Sequence, residues 1–224
     1  MHYVSRSWNT PVVVGAKIAK EPQQEDNDDK ELQRGSLPLV AILLTVTEPF
    51  YPRMSVMEVF EAVRTVLAVR SYRDKPVPPD TMRRVVEAGR LTASSMNAQP
   101  WHFIVVENRD TLLRLGSLAR TGPYIAQAPM AVVVAIEKTK FAVSDASRAI
   151  QSMILTAWSE EVGSNWVGFL GFTEVKALLG IPDNLDVLAI LPFGSPKQRL
   201  GQGKKQRKPL SQMAHRERFG QPFE

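Results

Sequence analysis

The chain has 224 residues, of which 44% are hydrophobic, 23% are charged and none is cysteine; this is the profile of an ordinary globular protein with one good-sized α/β domain or two small ones. The lack of cysteine excludes disulfides, thiolate nucleophiles, Cys-ligated zinc and iron–sulfur clusters, gives no sign of an oxidising compartment, and sets a cytoplasmic location as the expectation. The formal net charge is +5, and the excess sits late in the chain, which leaves nucleic acid, an anionic membrane surface or a phosphorylated small molecule as possible partners beside a merely solvated surface.

Residues 1–54 carry six Lys or Arg against seven Asp or Glu, while the remainder carries 22 against 16. Glu21–Gly35 (EPQQEDNDDKELQRG) is polar and charge-rich and reads as disordered. Leu37–Val46 is an apolar run of ten residues, too short to span a bilayer and too far behind an acidic stretch for a secretory signal. Residues 1–54 are therefore expected to form a poorly ordered extension, with Met54 and Met57 as plausible starts, and residues 55–224 to form the domain. No membrane role is expected.

From Ser55 the pattern is regular. Val56, Val59, Phe60, Val63 and Leu67 recur at helical spacing and predict an amphipathic helix. Pro76–Asp80 is a break and a helix start. Met82, Val85, Val86 and Gly89 mark the buried stripe of a second helix, with Arg83, Arg84, Glu87 and Arg90 outside. Phe103–Val106 reads as a short strand and Asp110–Ala119 as a helix. Met130–Ile136 (MAVVVAI) is a β-branched run that predicts a central strand covered on both faces. Ser144–Glu161 predicts a helix apolar nearly all round, buried in a core or an interface. Thr173–Leu179 is a helix stopped by Gly180 and Pro182, and Asp186–Leu191 is a further core strand. Helices on a small sheet with few strands give an α+β class.

Three segments carry candidate chemistry. Ser94–Trp101 (SSMNAQPW) lies between a helix and a strand, where loops often hold functional groups. Its hydroxyls and amides both donate and accept hydrogen bonds, which suits a planar heterocycle such as the pyrimidine edge of a flavin; a capped turn leading into the strand fits equally well. Gly163–Gly168 (GSNWVG) permits close backbone approach to a ligand, and a helix C-cap with an ordinary connection explains it more simply. In Lys204–Leu210 (KKQRKPL), Lys205 and Arg207 face one way if the backbone is extended and could share one phosphate; a solvated charge run is the plainer account. No Walker A loop, GxGxxG fingerprint or GxSxG elbow is present.

The order of these segments resembles the nitroreductase family of FMN enzymes. The resemblance covers about Met54 to Phe223 and rests on Arg70–Pro78 (RSYRDKPVP), on SSMNAQPWHF at Ser94–Phe103, on GSNWVG and on the late KQRKPL segment. It implies an α+β nitroreductase-like fold, with a central antiparallel or mixed sheet flanked by helices and two subunits interlocked as a homodimer around two FMN sites. Ser94, Ser95, Asn97 and Gln99 would meet the flavin of the partner subunit, Gly168 and its neighbour Ser164 would pass near flavin N5, and Lys205 and Arg207 would hold the phosphate. The chain departs from the family at one place: the usual Arg-Arg-Ser before the last arginine of that motif is Val66, Leu67 and Ala68 here. Arg70, Lys205 and Arg207 are left for the phosphate, with Arg64 one turn earlier as a further candidate.

The function implied is an FMN-dependent oxidoreductase that passes hydride from NADH or NADPH to a small organic acceptor (nitroaromatic, quinone or enone) in a ping-pong cycle. The flavin carries the chemistry, so no catalytic side chain is assigned. The alternatives are a flavin-binding protein without turnover, for storage or sensing, and a nucleic-acid binder using Lys197–Lys208. The latter is disfavoured because the basic run has no interleaved aromatics.

Overall fold

Proline and an acid at one end and arginine at the other define the helix that leads into the candidate loop. In the computed structural model, which describes residues 57–168, 173–198 and 205–223, the second helix, α2 (Pro79–Arg90), starts on Pro79 with Asp80 in its first turn and ends with Arg90 in its last. A proline at the first helical position forgoes no hydrogen bond, and both charges oppose the helix dipole favourably. The described residues all fall in the compact unit Pro52–Glu224; the expected N-terminal extension lies outside them.

The first helix, α1 (Val59–Thr65), is capped by the Glu58 carboxylate, which accepts a hydrogen bond from the Glu61 amide. Strand β1 (Trp101–Val106) is followed by α3 (Arg109–Leu118), β2 (Met130–Glu137), α4 (Ala142–Ser159), the two-residue strand β3 (Gly163–Ser164), α5 (Thr173–Leu179) and β4 (Leu185–Gly194). The sheet order is β1-β2-β4-β3, with every neighbouring pair antiparallel. Among the described residues no helix is long and apolar enough to cross a membrane.

The β-branched run does what its composition predicts. Strand side chains alternate between faces, and both faces of β2 are covered. Met130, Val132, Val134 and Ile136 join a core with Val85 of α2 and Ala146, Ala149, Ile150 and Met153 of α4. Ala131, Val133 and Ala135 join a second core with Leu112 and Leu115 of α3 and Val175 of α5. The pairing of β2 with β4 slips between Val134 and Ala135. The bulge puts Leu188 and Ala189 of β4 against the same α2/α4 core.

Helix α2 approaches α4 closely at Gly89. A methyl group there would lie 2.9 Å from Met153 Sδ and 2.9 Å from Phe103 Cζ. The Arg84 guanidinium also reaches the Glu160 carboxylate at 2.9 Å, past the end of α4. These contacts fix the height at which the chain leaves α2.

Two boundaries and one buried face differ from the sequence expectation. Strand β1 begins at Trp101, because Trp101 packs in the α2/α4 core and the exposed His102 occupies the alternate position. Strand β4 runs on through Pro192 to Gly194. The stripe on α1 does not face this chain's core: Val59, Phe60 and Val63 are 72%, 70% and 47% exposed, and it is Ala62 that is buried.

Candidate active site

The Ser94–Gln99 segment is a built loop. Met96, Asn97 and Gln99 all adopt positive φ, at 54°, 56° and 49°. A residue with a Cβ gives up about 1 kcal/mol or more in that region, so three in four positions persist only because the surroundings impose them. Two latches are visible. Within the loop, the Gln99 amide donates to Ser94 Oγ at 2.9 Å, and Gln99 Nε2 lies 3.2 Å from the Asn97 carbonyl oxygen. Outside it, the Asp145 carboxylate of α4 accepts from both the Ser95 amide and the Ser95 hydroxyl, each at 3.0 Å. Met96, Asn97 and Gln99 remain exposed and present the loop's amides outward.

Asp145 is fully buried, and Arg148, one turn on, also donates to it. Burial works to raise its pKa. The Ser95 hydroxyl and amide and the Arg148 guanidinium outweigh that, and hold the carboxyl below the usual carboxylate range.

A second group of expected residues gathers around α1 and β3. Val69 donates its amide to the Ser164 carbonyl at 2.8 Å, and Ala68 pairs with Ser164 in a parallel bridge. Gly163 is required there, since a Cβ would sit 2.3 Å from Val69 Cγ2. The expected GSNWVG connection is thus partly a strand: Gly163 and Ser164 pair with Gly194 and Phe193, Asn165 donates to the Tyr124 hydroxyl, and Val167 pairs with Ile190. Gly168 is tucked against the Trp166 indole, with its would-be Cβ 2.3 Å from Nε1.

Lys205 donates to the Val63 carbonyl, in the last turn of α1, at 2.7 Å, a favourable place for a cation. Desolvation, and then the charges of Arg207 and Arg64, lower its pKa. Three cations therefore sit together. Arg64 is paired with Glu61 by two hydrogen bonds at 2.6 and 2.8 Å. Arg70 is exposed beyond Val69, and its charge is felt by the buried Tyr72 phenol; it is not among the charges acting on Lys205.

The structure thus brings Ser164, Lys205 and Arg207 near the Val63–Val69 segment, and holds Ser94, Ser95, Asn97 and Gln99 in one loop at the start of α4. Among the described residues no hydrogen bond or ion pair joins the two groups within one chain. A groove of about 730 Å³, lined by Glu61, Thr65, Arg73, Trp158 and Glu160 among others, contains none of the expected residues. Sequence reasoning missed Asp145. Its signal was a lone carboxylate in a nearly apolar helix, three residues before an arginine.

Comparison with known proteins extends these observations. The chain is 30% identical, over 70% of its length and 87% of the relative's, to the protein of Methanothermobacter thermautotrophicus named "Putative NADH dehydrogenase/NAD(P)H nitroreductase". It is 25% identical to the FMN reductase [NAD(P)H] of Bacillus subtilis, over 72% of this chain and 74% of that one. Its fold matches the FMN-dependent nitroreductase of Clostridium difficile with a TM-score of 0.63 at 23% identity, covering 70% of this chain and 98% of that one. It matches the NADPH:FMN oxidoreductase of Vibrio harveyi with a TM-score of 0.64 at 22% identity, covering 72% and 77%. The Nitroreductase family model matches residues 64–138 and 119–195, a span that holds the strained loop, the buried helix and the GSNWVG strand, and the chain belongs to the nitroreductase family.

Proposed function

We propose that the chain is an FMN-dependent oxidoreductase that uses NADH or NADPH to reduce a small organic acceptor of the nitroaromatic, quinone or enone class. The observation that carries the reading is Lys205, bonded to the Val63 carbonyl in the last turn of α1 beside Arg64, with Arg207 close enough for its charge to act on it. Three cations at the end of one short helix, with Glu61 as the nearby acid, leave positive charge for an anion. A phosphate monoester matches that donor set, with Arg207 as a fork and Lys205 as a point charge.

The other end of the ligand is read from the loop. Asn97 and Gln99 offer amide donors and acceptors, and a conformation fixed before binding costs little ordering on binding. These are the groups that a ring edge with alternating C=O and N–H requires. Both donor sets fit FMN: the cations would hold its phosphate and the loop its pyrimidine edge, while the backbone at Ser164, whose side chain is buried, and at Gly168 would pass near the ring. When bound, the flavin supplies the hydride chemistry. The chain's residues bind and orient it, and the donors of the loop favour negative charge at the pyrimidine oxygens.

The two donor sets are not joined within one chain, so the reading requires a twofold partner whose loop completes each site. Supporting this, Val59, Phe60 and Val63 are exposed together on α1, an apolar stripe of the kind that marks an interface. We assign the catalytic unit to residues 55–224, with residues 1–54 as an extension outside it.

The test is an absorption spectrum of the purified protein, followed by anaerobic titration with each nicotinamide. A bound flavin that bleaches on titration is expected. A colourless protein that binds no added FMN refutes the reading, and a flavin that NADH and NADPH leave oxidised favours a binding protein without turnover.

A further inference from the structure

Helix α4 buries one face in the core and carries polar residues along the rest. Asp145, Arg148 and Ser152 are spaced three and four residues apart and so share a face. Two of them bond to the segment that follows α2, and Arg148 bonds to Asp145 on the same face. Ser152 Oγ lies 2.8 Å from Thr92 Oγ1, the Arg148 guanidinium reaches Asp145, and the Asp145 carboxylate accepts both Ser95 hydrogen bonds. The first of these ties falls just after the last turn of α2, and the last at the residue before Met96, where φ turns positive. Burying a carboxylate in a helix that otherwise feeds a hydrophobic core is costly unless it is bonded. Here every bond it makes goes to the loop or to the arginine beside it.

We infer that Asp145 is a positioning residue for ring recognition: through Ser95 it holds the Ser94–Gln99 loop in the conformation that presents Asn97 and Gln99 to the ligand. The inference rests on the flavin reading above. Asp145 touches no ligand. It fixes the start of the loop, while the Gln99-to-Ser94 hydrogen bond closes its end. Between these two points, the strained residues have one arrangement left to them. Arg148 plays a lesser part. Its side chain is 52% exposed, and the Ser95 bonds do not pass through it.

The experiment measures the affinity of flavin-free protein for FMN and for riboflavin, which shares the ring and lacks the phosphate, by quenching of flavin fluorescence. Asp145→Ala is expected to weaken both by the same factor, at least about tenfold, as follows from losing hydrogen bonds to a charged group. Asp145→Asn, which still accepts the Ser95 amide hydrogen, falls between wild type and Asp145→Ala. Ser95→Ala, which keeps the amide bond, behaves likewise, and Arg148→Ala stays within about twofold of wild type, as a solvated partner should. A purely structural carboxylate would give a different pattern, with Arg148→Ala and Asp145→Asn as damaging as Asp145→Ala. That pattern, or unchanged riboflavin affinity in Asp145→Ala, overturns the inference. Should Asp145→Ala fail to fold, Ser95→Ala and Asp145→Asn carry the test, and unchanged affinity in both overturns it. Wild-type protein that binds neither flavin sinks the cofactor reading, and the inference with it.

Discussion

Gly89→Ala is the substitution whose sign the structure decides against the usual expectation. In a helix, alanine is favoured over glycine by up to about 1 kcal/mol. Here the added methyl would sit 2.9 Å from Met153 Sδ, 3.0 Å from Met153 Cγ and 2.9 Å from Phe103 Cζ. Carbon contacts normally lie at about 3.5–4.0 Å, so it is more than half an ångström too close on two sides. Met153 is fully buried and Phe103 packs against the same core, so either these side chains leave their packed positions or α2 and α4 separate. Overpacking of this kind costs roughly 1–3 kcal/mol, and a mid-range cost of about 2 less the helical gain leaves a net loss of about 1 kcal/mol. Urea unfolding at one protein concentration would show it as a lower midpoint with an unchanged slope. Repeating the substitution in a Met153→Ala background tests the cause. That background alone costs roughly 2–5 kcal/mol, but it removes the Met153 side of the clash and gives the Phe103 ring room to move, so Gly89→Ala should there be about neutral. The coupling between the two sites is then about 1 kcal/mol, within the range of residues in contact. If Gly89→Ala stabilises the wild-type protein, or costs the same in both backgrounds, the close approach of α2 to α4 is not what fixes the exit to the loop.

Three further outcomes follow. Lys205→Ala with Arg207→Ala should weaken FMN by at least about tenfold, through loss of charge-assisted hydrogen bonds, and leave riboflavin affinity unchanged; equal losses for both flavins in a fluorescence titration would remove the phosphate role. Phe60→Glu, which sets a charge on the exposed stripe of α1, should shift the protein from dimer to monomer in analytical ultracentrifugation, with flavin lost alongside, and an unaltered dimer would place the interface elsewhere. The third concerns acid. Because the folded protein lowers the Asp145 pKa, its ionised form contributes stability that is present in full above the ordinary carboxylate range and lost as pH falls through the lowered folded value. The stability gap between wild type and Asp145→Asn should therefore narrow between about pH 5 and pH 2 in chemical denaturation. A gap that stays constant contradicts the assigned ionisation.

The elements that were legible in the sequence are those whose cause is local. The β-branched run at Met130–Ile136 and the largely apolar helix expected at Ser144–Glu161 need no distant partner to be read, and they formed at Met130–Glu137 and Ala142–Ser159. What escaped depended on remote contacts. Strand β3 has two residues and no propensity signal; it exists because Gly163 and Ser164 meet Gly194 and Phe193. His102 interrupted the apolar pattern of β1 and hid its first two residues. The α1 stripe was legible as apolar, but the sequence gives no direction for it, and its exposure requires the three-dimensional chain. In the site, the loop residues could be named from composition. Asp145 could not be tied to Ser95, because 50 residues separate them and nothing local says which donor a buried acid will find.

On the proposed reading, Val66, Leu67 and Ala68 stand where the family resemblance implies Arg-Arg-Ser, which would take two cations from the phosphate end, and Arg64, whose charge acts on Lys205, would offset part of the loss. Its position carries a conflict. Glu61 holds it in a two-pronged pair at 2.6 and 2.8 Å, and that bond is also the main reason the Glu61 pKa is lowered. A phosphate and Glu61 must compete for one guanidinium. Glu61→Gln weakens the internal rival without adding any charge to the ligand's side. Both side chains are about half exposed, 53% and 40%, so the pair is screened and the gain is small, about two- to fivefold in FMN affinity. Riboflavin, with no phosphate, should bind the two proteins alike, and the FMN difference should close at about 1 M salt, where charges are screened within a few ångströms. A fall in FMN affinity would mean instead that Glu61 aims Arg64 at the phosphate and that the two act as one device. Equal gains for both flavins would mean that Arg64 does not reach the phosphate at all.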